Sequence, residues 1–107
     1  MEIKELSKKA NDIRKLYSKM EMITIGKQRT SAQIMEGFVV DIGDLMKLVM
    51  AKEGLREIEN VDEKLAHELA DCLYSVFVLA KIYGIDIEKE FVKTMDELEK
   101  GLEDYKK

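Results

Sequence analysis

The sequence predicts an all-α protein of four helices joined by short loops. Three observations predict it. Apolar residues recur at spacings of three and four through most of the chain. Glycines 26, 54 and 84 fall where such helices should stop. No long stretch alternates with period two, and no βαβ pattern is present. The 107 residues suit one domain spanning 1–107.

The first helix is marked by Ile3, Leu6, Ala10, Ile13, Tyr17 and Met20, a single amphipathic stripe that ends near the loop around Gly26. Thr30-Ser-Ala-Gln33 reads as a capping box that opens a second helix, which runs to about Glu53. Asn60 or Asp62 caps a third helix that continues through Tyr83. Asp86 caps a fourth, whose buried face is expected to be Ile87, Phe91, Met95, Leu98, Leu102 and Tyr105.

Composition narrows the function. Apolar residues make up 46 % and charged residues 37 %, the balance of an ordered helical protein rather than a disordered one. The net charge of −4 argues against nucleic acid as a partner. Lys4, Lys8, Lys9, Arg14, Lys15 and Lys19 cluster on the first helix, but interleaved acids make this a solvated face. No apolar run approaches the ~18 residues that span a bilayer, so no membrane partner is expected. A single cysteine and a start of alternating charge, without a signal core, lead us to expect a reducing cytoplasm.

The third helix carries an anomaly. From Leu69 to Ala80 it is apolar except for Asp71, and Glu68 lies one turn before that acid. Charge in such a segment is costly unless it is paired or holds a metal. The second helix repeats the arrangement: Asp41 interrupts its apolar arc between Leu48 and Ile34, with Asp44 one turn on. Two helices packed by these faces bring four carboxylates together. A hard divalent cation such as Mg²⁺, which takes oxygen ligands and binds substrate phosphates, relieves their repulsion.

Rival chemistries fit less well. A di-iron bundle needs Glu-x-x-His, whereas the one histidine, His67, directly precedes Glu68 and points about 100° away. Cys72 reads as a small core residue, and Cys72 and His67 lie on different faces, so nucleophilic catalysis has no support. None of the six glycines falls in a P-loop spacing.

Val40-Asp-Ile-Gly-Asp-Leu45, followed by Glu68-Leu-Ala-Asp71, resembles the MazG-type all-α nucleoside triphosphate pyrophosphohydrolases. Their pattern is Glu-Glu-x-x-Glu on one helix and Glu-x-x-Asp on the next. The 23 residues from Leu45 to His67 fit the usual gap, and Tyr83-Gly-Ile-Asp-Ile-Glu88 looks like the start of the family's fourth helix. The likeness covers roughly residues 30 to 100. The chain departs from the pattern at Val40, where the family has its first Glu, and by having Asp at 41 and 44.

The resemblance implies cleavage of a nucleoside triphosphate, ribo or deoxy, to monophosphate and pyrophosphate, with Mg²⁺ or Mn²⁺ as cofactor. It carries Asp41, Asp44, Glu68 and Asp71 over as metal ligands. Glu68 is the candidate proton acceptor, because its longer stem reaches further. It also implies a homodimer or homotetramer, and the third helix, apolar all round, independently favours self-association. Lys52 and Lys64 share faces with the acids, and these two, with Arg56 in the following loop, are the candidate substrate cations. The competing reading is a catalytically silent relative that binds nucleotides or a protein partner.

Overall fold

The computed structural model describes residues 1–105. It has four helices: α1 (Ile3–Thr24), α2 (Ser31–Lys52), α3 (Val61–Ile82) and α4 (Ile87–Tyr105). The capping box forms as expected. Thr30 Oγ1 accepts from Gln33 N at 3.2 Å, and Gln33 Oε1 accepts from Thr30 N at 2.9 Å. Gly54 and Gly84 follow the C-caps of α2 and α3 with φ of +81° and +65°, backbone conformations that a Cβ disfavours. Asn60 holds the N-cap position of α3 in the left-handed region, without a side-chain cap bond. Asp86 Oδ1 accepts from Lys89 N at 3.2 Å and caps α4.

Helix α3 is the centre. It packs against α2 on one side and α1 on the other. Its Phe77, Val78 and Ala80, with Leu48 of α2, form the buried apolar core. Two polar ties join the layers: Asn11 Nδ2 donates to Phe77 O at 3.4 Å, and Tyr83 Oη to Ser31 Oγ at 3.0 Å. No helix among the described residues is long and apolar enough to cross a membrane.

Helix α4 departs from expectation. Phe91, Met95, Leu98, Leu102 and Tyr105 are exposed and Ile87 is half-buried, and α4 makes scant contact with the other helices. Its period of 3.6 is real, but the period specifies a face that needs covering and not where the cover comes from. The outer sides of α1 and α2 are also apolar and open, at Ile13, Leu16 and Met20 and at Val39, Val40 and Met46. The radius of gyration is 17.3 Å, against about 13 Å for a compact chain of this length.

Candidate metal centre

The α2–α3 hairpin carries the acids to one place. Asp41 and Asp44 lie one turn apart on α2, and Glu68 comes from α3. One carboxylate oxygen from each lies within 4.8 Å of the others. Asp41 and Glu68 are half-buried and Asp44 is exposed. Burial, a hydrogen bond with Asp41 and the charges of Asp41, Asp71 and Asp44 hold the Glu68 carboxyl above its ordinary range. Cys72 is a free thiol, and burial followed by the charges of Asp41, Glu68 and Asp71 pushes its pKa up.

Asp71 stands apart from this trio. Its Oδ2 lies 3.2 Å from His67 Nε2, an i, i+4 pair that the sequence reading did not draw. It nonetheless stays close enough for its charge to act on Glu68. Val40 is an exposed side chain.

Two cavities flank the carboxylates. One, of about 370 Å³, is lined by Asp44, Glu63, Glu68, Lys47, Lys64, His67, Leu48 and Ile58. The other, of about 240 Å³, is lined by Asp41, Asp71, Arg14, Arg29, Tyr74 and Gly37 among others. Of the three cations expected from sequence, Lys64 lines the first cavity. Lys52 instead pairs with Asp62 at 2.6 Å, and Arg56 is exposed in the loop between α2 and α3. Lys47 was missed, although it follows Asp44 by three residues and so shares its face.

Arg14 is a correction. Its side chain is only 15 % exposed, not part of a solvated face. It forms a salt bridge with Glu21, itself 9 % exposed, and the seven-residue spacing places both on one side of α1. Glu21 Oε1 also accepts from the Arg29 backbone N–H at 3.1 Å, and the Arg29 side chain lies 3.9 Å from its Oε2. The Arg14 hydrogen bond, then the backbone bond of Arg29, holds the Glu21 carboxyl below its ordinary range.

A helical hairpin that gathers carboxylates from both arms defines a class: all-α proteins with an acidic centre suited to a hard cation. Within that class the assignment is specific. The family model of the MazG nucleotide pyrophosphohydrolase domain matches residues 39–101, a span that includes Asp41, Asp44, Glu68 and Asp71. The chain belongs to that family. No curated protein and no solved structure compared with it matches.

Proposed function

We propose that the protein is a Mg²⁺-dependent nucleoside triphosphate pyrophosphohydrolase acting on an NTP or dNTP, in the manner of nucleotide-pool cleansing. The observation that carries this reading is the convergence of Asp41, Asp44 and Glu68 inside the matched family span. The donor set fits the ion. All three groups offer hard oxygen, and one oxygen of each lies within 4.8 Å of the others, so together they would hold such an ion. Mn²⁺ accepts the same donors. Asp71 supports them through its charge on Glu68.

A bound divalent cation supplies a Lewis acid that neutralises phosphate charge and makes an attacking water more acidic. The chain's own groups do the rest. Water adds to the α-phosphorus, the bond to the bridging oxygen of the β-phosphate breaks, and monophosphate and pyrophosphate leave. Glu68 accepts the proton from the attacking water, because its longer stem reaches further than those of the aspartates. Lys47 and Lys64 line the cavity on one side of the carboxylates and bind the nucleotide there.

We also propose a homodimer or homotetramer in a reducing cytoplasm. The open apolar faces of α1, α2 and α4 support the assembly, and the single cysteine supports the compartment.

The test is pyrophosphate release from a panel of NTPs and dNTPs with Mg²⁺ or Mn²⁺, for the natural chain and Glu68→Gln. Monophosphate plus pyrophosphate, lost in the variant, is the expected result. No turnover with any substrate would leave the silent binding module, which the departure at Val40 favours.

A further inference from the structure

The two cavities differ in the chemistry they offer an elongated anion lying across the carboxylates. The cavity beside Asp41 carries two guanidinium groups. Arg14 and Arg29 share one acid, Glu21, so these three groups keep one positive charge, facing Asp41 and Asp71 on the same wall. Glu21 also fixes where that charge sits. It binds the Arg14 side chain and the Arg29 backbone N–H at once, so the α1–α2 loop and α1 are locked together. A guanidinium nitrogen of Arg29 lies 3.8 Å from where a Cβ at Gly37 would stand. Gly37, Asp41 and Asp44 are spaced four and three residues apart, so they share one face of α2. The Arg29 fork therefore sits one turn from Asp41, about 6 Å along the axis.

Tyr74 lines the same cavity, and its buried hydroxyl lies beside the Arg14 guanidinium. Asp71, the other acid on this wall, is directed to His67.

The opposite cavity is larger, with Leu48 and Ile58 in its lining. Its cations are lysines, point charges without the planar fork that matches phosphate in two hydrogen bonds.

We propose that Arg14 and Arg29, braced by Glu21, seat the terminal phosphates that leave as pyrophosphate, with the nucleoside on the opposite side against Leu48 and Ile58. The substrate then lies across the carboxylates in one direction only, with its outer phosphates under α1. This assignment rests on the hydrolase reading, and binding separates the two.

The test is calorimetric binding of inorganic pyrophosphate and of nucleoside monophosphates, each with Mg²⁺. Three proteins are compared: the natural chain, Arg29→Gln, and the double variant Arg14→Gln/Glu21→Gln. The double variant removes both members of the buried pair, so neither is left unmatched. Arg29 has an exposed side chain, so its variant folds, and circular dichroism checks both. Each variant should bind pyrophosphate at least tenfold more weakly and monophosphates within twofold of the natural chain. Arg29→Lys should recover only part of the loss, because it restores charge without the fork. Undiminished pyrophosphate binding in both folded variants overturns the proposal, as does failure of the natural chain to bind it. Arginine-dependent binding in a protein without turnover keeps the seat and removes the hydrolase. Turnover with arginine-independent pyrophosphate binding does the reverse.

Discussion

Glu68 and Glu21 are two acids with opposite electrostatic fates, and they separate on the pH axis. Glu68 is held above its ordinary value of 4.5, so the folded protein binds its proton more tightly than the unfolded chain does. Its unfavourable contribution therefore grows as pH rises from 4.5 through the raised value. Glu21 is held below 4.5 by its arginines. Its favourable contribution is present above 4.5 and is lost as pH falls through the lowered value. We therefore expect Glu68→Gln to raise Tm at neutral pH without divalent ions, because it relieves repulsion among the acids. With Mg²⁺ the order inverts. The natural chain gains stability by binding the ion in its folded state, and the variant gains less. Thermal melts of both proteins, with and without Mg²⁺, check this. A Glu68→Gln protein less stable than the natural chain without metal would count against clustered, repelling carboxylates.

At the scale of the elements, the hairpin's start and stop signals were the most legible part of the sequence. Thr30 and Gln33 form the reciprocal bonds that their spacing announces. Replacing Thr30 by Ala removes one of them, leaves the Gln33 N–H without its acceptor and should cost about 1 kcal/mol. For a chain of this size that lowers Tm by about 5 °C, readable by circular dichroism. The acid pairs were legible for a related reason: i, i+3 spacing fixes which side chains share a face of one helix. Contacts between helices were less so. That Asp71 turns to His67 depends on rotamers and solvent, and a helical wheel shows neither. The tie of Glu21 to Arg14 and Arg29 was missed because Arg29 lies in a loop, where periodicity gives no direction. Arg14 was misread because a cation among lysines looks solvated until a buried acid is known to face it.

The shape of the whole molecule reflects how much of it lies uncovered. Its accessible surface is 8623 Å², against about 6,100 Å² for a compact monomer of this mass. The excess exceeds the roughly 1,600 Å² that a standard interface buries. Apolar side chains on α4, α1 and α2 form much of it. We expect light scattering to give a mass of two or four chains. Phe91→Asp combined with Leu98→Asp, placed on the open face of α4, should shift that mass towards one chain. A natural chain that runs as a monomer at micromolar concentration would sink the assembly.

Helix α4 has 19 residues and almost nothing of its own chain to lie on. An amphipathic helix draws most of its stability from the packing of its apolar face. In the proposed assembly its cover would come from a second copy, and the last step of folding would be an encounter rather than a search within one chain. The completion of the fold would then be second order, set by how much protein the cell has made. A newly released chain would hold its carboxylate hairpin before it held its final shape.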